Sequence, residues 1–293
     1  MYSNSTFFCA ILLLLHNYHY LCIQIYQKLN SLITNRLPMK RYLLLALSIM
    51  LLGETLQAQP QIVAHRGYWR TDGSAQNSLT SLQKAADLGL WGSEFDVWIT
   101  ADGVPVVFHD DSFDNMRIED TPYAMLMNHR LANGEFLPTL QQYLQLGKRL
   151  TDIQLVLEIK PHKTAERELR IVKACVELVH MLEIEDRVDY ISFSRYVCEQ
   201  LHQLSPHSKV AYLNGDLPPA VLKEMGLTGI DYHFSHYENN PQWVEQAKRM
   251  GLEVNVWTVD GEEGLTKYAH TKGIDLITTN DPVILQSILA GEQ

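Results

Sequence analysis

Gln61-Ile62-Val63-Ala64-His65-Arg66-Gly67 is a short β-rich run that closes on three residues with an evident chemical use. The same plan recurs downstream in Glu94-Phe95-Asp96-Val97, in His109-Asp110 and in Glu158-Ile159-Lys160. Side chains two apart on a strand share a face, so Glu94 and Asp96 point one way while Phe95 and Val97 point the other. Nine β-rich stretches are expected in all, at residues 61–65, 94–99, 104–109, 154–160, 187–193, 209–213, 229–234, 253–259 and 274–279. Helical periodicity fills most gaps. Ser78 can cap a helix whose Leu79, Leu82, Ala86 and Leu90 share a face. Ile171, Cys175, Leu178 and Leu182 repeat that spacing, and Asn240-Pro241 opens a helix that Gly251 ends. Strand and helix alternating this often predict a parallel α/β sheet. About 235 residues without a linker suit one TIM (β/α)8 barrel. Nine strands for eight positions is one too many, so the Asp102-Gly103 turn is expected to fold two of them into a hairpin. Counting alone leaves an open doubly wound sheet as the alternative.

Two hydrophobic runs lie before this region. The second starts at Met39 with Lys40 and Arg41, stays apolar over residues 42–52 and ends in Leu56-Gln57-Ala58, the layout of a secretory signal cleaved after Ala58. The first, residues 7–15, is broken by His16, Asn17 and His19 and falls short of the roughly 20 apolar residues of a membrane span. We therefore expect a leader over residues 1–58 with its true start at Met39, a catalytic domain over 59–293, and a periplasmic or secreted product. An uncleaved anchor is the competing reading.

The 293-residue chain is 46% hydrophobic and 20% charged, with 16 Gly, 11 Pro and 4 Cys, which excludes disorder, collagen-like repeats and a disulfide scaffold. Its formal net charge is −10, and without the 4 basic and 1 acidic residues of the leader it becomes −13. Such a surface repels nucleic acid and anionic lipid, so a phosphate-bearing small molecule needs local cations. Cys9 and Cys22 leave with the leader, and Cys175 and Cys198 stand where a small hydrophobe would serve.

Two carboxylates on one strand face repel unless a cation relieves them. With Glu158 as a third, and no paired Cys/His spacing, a hard ion such as Mg²⁺ or Ca²⁺ is favoured over structural zinc. Arg66 offers a planar fork for phosphate oxygens and Gly67 permits close backbone approach. His65 and His109, at two strand ends, can divide proton removal and delivery between them. Each has a plainer reading: Lys160 as a surface partner of Glu158, Trp257 as a packed aromatic, Tyr68 and Trp69 as barrel-mouth cover, and His162, His233 and His236 as structural residues.

The ordered set resembles the glycerophosphodiester phosphodiesterases. The likeness runs through Ala64-His65-Arg66-Gly67, Glu94-Phe95-Asp96-Val97, Asp102-Gly103, His109-Asp110, Leu137-Pro138-Thr139-Leu140, Glu158-Ile159-Lys160, Val256-Trp257-Thr258-Val259 and Thr278-Thr279-Asn280-Asp281-Pro282. It covers residues 61–283. It implies a TIM barrel with one divalent cation on Glu94, Asp96 and Glu158, with His65 and His109 as acid and base. Arg66 and Lys160 would hold phosphate, and Asn77 and Trp257 join them as substrate contacts. The chain departs from the family in Ala75-Gln76-Asn77-Ser78, where Pro-Glu-Asn-Thr is usual, and in Asn280, where Asp is common. The segment between His109 and Leu137, with an Asn133-Gly134 turn, leaves room for only a short insertion, which predicts an open site. The expected reaction is hydrolysis of a glycerophosphodiester to an alcohol and sn-glycerol 3-phosphate, with no nucleic acid or stable membrane partner. Rivals are a phospholipase-like barrel acting on intact lipid, with Tyr68, Trp69, Phe113 and Met116 as candidate lipid-facing residues, and a non-catalytic binding protein.

Overall fold

A computed structural model describes Lys28 and residues 59–291; the leader, its start and its cleavage site lie outside the described residues. Eight strands run parallel: β1 (Gln61–Ala64), β2 (Gly92–Ile99), β6 (Gln154–Ile159), β7 (Val188–Ser192), β8 (Val210–Tyr212), β9 (Gly229–His233), β10 (Glu253–Trp257) and β11 (Leu276–Thr279). Each pairs with the next, β11 pairs with β1, and Val63↔Gly92 and Ala64↔Ser93 join β1 to β2, so the barrel closes. β1 stops level with Ser93, and the overhanging Val97 to Ile99 of β2 take up β3 (Pro105–Val107) antiparallel. That is the expected hairpin, turned by Gly103 at φ +93°, and it explains the ninth strand.

All eight residues of β2 are buried, as in a sheet covered on both faces. Phe95 faces outward against Tyr143 of α3 (Leu140–Arg149), ring centroids 4.3 Å apart. Thr139 and Gln142 form a capping box that fixes where α3 starts. Phe95→Ala should cost about 3–5 kcal/mol in denaturant unfolding; a loss below about 1 kcal/mol would show that this face is not packed.

The helix faces differ in detail from the sequence expectation. α1 (Leu79–Asp87), capped by the Ser78 side chain, buries Ser81, Leu82 and Ala85. Leu79 and Ala86 are only partly buried, and Leu90 lies past the helix end. Ser81 is buried on the same face, its hydroxyl within hydrogen-bond distance of Ser78 O and Arg66 O. α4 (Ala165–Met181) buries Ile171, Val172, Cys175 and Val179, while Leu178 and Leu182 sit at its margin. Cys175, and Cys198 on α5 (Arg195–Leu204), are free and buried. α6 (Pro219–Glu224), α7 (Phe234–Asn239), α8 (Gln242–Arg249), α9 (Glu262–Ala269) and α10 (Pro282–Ala290) complete the outer ring.

Between β3 and α3 lies a small lobe with β4 (Ser112–Phe113), β5 (Met116–Arg117) and α2 (Tyr123–Leu126). Short as it is, it has a separate apolar cluster around Trp98, Val106, Phe113, Ile118 and Leu126. Phe113 belongs to that cluster, Met116 packs on it, and Tyr68 packs on the main core. Phe113 is buried, whereas Tyr68, Trp69 and Met116 are partly exposed. No helix among the described residues is long and apolar enough to cross a membrane.

Candidate active site

The C-terminal ends of β1, β2 and β6 deliver the chemistry to one rim. His65 follows β1, its backbone N–H bonded to Thr279 O. Arg66 (φ +58°) and Gly67 (φ +75°) bend the chain sharply back. Only glycine fits at position 67, since a Cβ there would collide with Ser81 of α1. The bend lets Gly67 N–H donate to Glu94 O and Arg66 N–H donate to Glu94 Oε2 at 2.8 Å. The β1 loop is thereby pinned to the β2 carboxylates.

Glu94, Asp96 and Glu158 are buried, and one oxygen of each lies within 4.8 Å of the others. Among the described residues no other group of His, Cys, Asp or Glu ligand atoms comes together in this way. Lys160 Nζ stands 2.7 Å from Asp96 Oδ1 and 2.7 Å from Glu158 Oε1, buried rather than on the surface. Burial pushes the Glu94 carboxyl well up, helped by Asp96 and Glu158, and pushes Glu158 up to about 7 against the pull of Lys160. Burial raises Asp96 too, but Lys160, then His109 and Arg66, outweigh it and hold that carboxyl down to about 2. Glu94 Oε1 is buried without any hydrogen-bond partner. Oxygen-only donors, excess negative charge and an orphaned carboxylate oxygen together fit a hard divalent cation.

Asn77, expected to contact substrate, has another position. It is fully buried at φ +59°; its Nδ2 donates to Asp96 Oδ2 at 2.7 Å and its Oδ1 accepts from Asp96 N at 3.1 Å. Both ends of the amide are spent on aiming Asp96. Gln76 accepts from Arg66 Nη1 at 2.7 Å, so the residue that departs from the family pattern still holds the guanidinium. Arg66 Nε is buried without a partner, 3.7 Å from Asp96 Oδ2.

The imidazoles are held differently. His65 Nδ1 meets Asn280 Oδ1 at 3.0 Å. That oxygen also accepts from Trp69 Nε1, while Asn280 Nδ2 donates to Asp260, so the amide orientation is fixed. His65 must then carry its proton on Nδ1, which leaves Nε2 as a lone pair. Burial, reinforced by Arg66, lowers the ring to about 4, and it is neutral near pH 7. His109, beyond β3, is more exposed and sets Nδ1 2.6 Å from Asp110 Oδ1. Burial lowers it as well, with Asp96 opposing.

His65, Arg66, Glu94, His109, Glu158 and Lys160 line one cavity of about 110 Å³, and Trp257 also lines it with its indole N–H spent on Asp231 O. His162 is structural, accepting from Ile99 N and bonding Lys160 O. His233 caps α7, and the His236 ring lies against Gly215.

Residues 65–284 match the glycerophosphoryl diester phosphodiesterase family. The chain belongs to that family. Membership makes it a phosphoric diester hydrolase and accounts for the barrel with a reactive rim. A glycerophosphodiester phosphodiesterase of Caldanaerobacter subterraneus subsp. tengcongensis is 27% identical over 78% of this chain and 97% of its own length. The crystal structure of a glycerophosphodiester phosphodiesterase from Parabacteroides distasonis superposes with a TM-score of 0.79 at 44% identity, covering 80% of this chain and 99% of that one. A phosphodiesterase from Oleispira antarctica, solved with the product sn-glycerol-3-phosphate, superposes with a TM-score of 0.68 at 27% identity over 79% and 97% of the two chains. The structure brings together the sequence-predicted Glu94, Asp96, Glu158, His65 and His109. Sequence reasoning has Trp69 only as mouth cover, without its bond to Asn280, and does not single out Asp231. Trp69 acts through Asn280, 211 residues away, a pairing that no local pattern announces.

Proposed function

We propose that the chain hydrolyses glycerophosphodiesters such as glycerophosphocholine or glycerophosphoethanolamine to the alcohol and sn-glycerol 3-phosphate, with Mg²⁺ or Ca²⁺ bound by Glu94, Asp96 and Glu158. One observation carries this reading: Glu94, Glu158, two histidines, Arg66 and Lys160 border a single cavity, with the buried Asp96 clustered against the two glutamates. When bound, the cation supplies Lewis acidity at the phosphoryl group. Arg66, with an unpartnered Nε, and the Lys160 ammonium offset charge that develops on the phosphoryl oxygens. His65, neutral with a free Nε2, takes the proton of the attacking hydroxyl. His109, held at Nδ1 by Asp110, delivers a proton to the leaving oxygen. A cyclic phosphate intermediate would identify the substrate's own glycerol hydroxyl, rather than water, as the attacking group.

Purified full-length protein with either ion should release choline and glycerol 3-phosphate from glycerophosphocholine; no release with any divalent ion would overturn the reading. The same substrate class implies no nucleic acid or stable membrane partner, in keeping with the acidic surface. We place the mature enzyme outside the cytoplasm on the strength of the leader pattern, and an N-terminus upstream of Met39 on exported protein would refute the assigned start.

The neutral partner of His65 has a measurable consequence. Asn280→Asp would set a carboxylate on Nδ1 in addition to Arg66, Asp96 and His109, the charged and titratable groups already acting on the ring. A negative partner raises an imidazole pKa. Loss of the base by protonation would then begin at higher pH, so the acid limb of kcat/KM should move up by about one unit. An unmoved limb would remove His65 from the role of base.

A further inference from the structure

The cavity has two unlike halves, and the assigned chemistry uses one of them. Opposite the charged groups stand Ile191, Phe193, Leu213 and Trp257. Among these apolar walls sits a carboxylic acid, Asp231, on the inward face of β9 and 2% exposed. Its Oδ1 is buried with no hydrogen-bond partner. Thr278 lines the same cavity, but its hydroxyl exchanges hydrogen bonds with Asn255 and is committed. The position of Asp231 is rigid: its carbonyl accepts from Trp257 Nε1 at 2.8 Å, and the Trp257 ring meets Phe193 edge-on, centroids 5.5 Å apart. An unpaired buried oxygen is costly and rare in a folded protein, so one on a residue that lines a binding cavity points to a missing ligand group.

We propose that Asp231 is a specificity-determining residue that hydrogen-bonds the hydroxyl groups of the substrate's glycerol moiety, with the apolar walls taking its carbon chain; this rests on the glycerophosphodiester reading above. The state of the acid agrees. Burial, opposed first by a hydrogen bond from Asn255 and helped by the charges of Glu158 and Glu253, pushes the Asp231 carboxyl up to about 8. It is mostly protonated near neutrality and can both donate and accept, as an alcohol requires. A quaternary ammonium headgroup offers no donor, and a cationic headgroup would select an ionised carboxylate.

The test compares sn-glycerol 3-phosphate with propyl phosphate, equal in charge but lacking both hydroxyls, by calorimetric titration of the full-length protein with Mg²⁺ or Ca²⁺. Wild type should favour glycerol phosphate by about 10- to 100-fold. Asp231→Leu should bring that ratio close to unity and leave propyl phosphate affinity unchanged, while Asp231→Asn should keep most of the preference. If Asp231→Leu fails to fold by circular dichroism, Asp231→Ser, which shortens the reach, is judged by the same ratio. A ratio that survives in the variants, or an equal loss for both ligands, overturns the proposal. Wild type that turns over no glycerophosphodiester refutes the function instead; wild type that turns over while its variants keep the preference refutes the Asp231 assignment alone.

Discussion

Chelation with EDTA should take hydrolysis of glycerophosphocholine down by a factor of about 10³ or more, and added Mg²⁺ or Ca²⁺ should restore it. Three buried carboxylates cluster together, and the Lys160 ammonium pairs with Asp96 and Glu158 but not with Glu94. Glu94 Oε1 is left with no partner at all. Phosphoryl transfer piles further negative charge onto this region, and Lewis acidity is worth several kcal/mol at about 1.4 kcal/mol per tenfold in rate. The binding has a readout independent of turnover. A cation that binds only the folded state stabilises it by about 2.7 kcal/mol at one hundred times its Kd. The melting temperature should therefore rise with added ion in wild type and stay put in Glu94→Gln/Glu158→Gln. Turnover in chelator equal to that with metal would refute the cation's role.

His65→Ala and His109→Ala should each lower kcat by about 10²- to 10⁴-fold with the fold intact. His65 sits at a strand end where its loss leaves Asn280 still bonded to Trp69 and Asp260, so the mouth keeps its frame. His109 is tied through its side chain to Asp110, which is exposed. The two losses should combine less than additively, because one proton transfer is of little use without the other. Wild-type rates in both variants, with unchanged circular dichroism, would remove the acid/base pair.

Much of this site was legible because strand chemistry is local. In Glu94-Phe95-Asp96 the alternation separates two inward carboxylates from an outward phenyl ring, whatever the rest of the chain does. The Asp102-Gly103 turn resolved the surplus strand for a similarly local reason. Asn77 shows the limit. The family resemblance implied contact with substrate, yet at a left-handed backbone position its amide is bonded to Asp96. Of the stripe assigned to α1, Leu82 and Leu90 are buried and Leu79 and Ala86 pack partly buried on the same core, while Ser81, polar in composition, is buried beside them. Asp231 was visible as a lone acid in Gly-Ile-Asp-Tyr-His, but the period of two does not say which face of β9 meets a cavity.

By itself the sequence determined the alternating α/β architecture, the strand-end acids, histidines and cations, and the family they make up. These depend on residue type and on spacing within a few positions, where backbone geometry alone dictates direction. Only the tertiary structure decided which oxygen of Glu94 lacks a partner, which nitrogen of His65 holds the proton, and that Asp231 shares a cavity with Lys160. Those facts come from closing eight strands into a ring, which brings together residues up to 215 positions apart. Burial and the approach of charged neighbours are properties of that closure, and they shift the titration of His65, His109, Glu94, Asp96, Glu158 and Lys160.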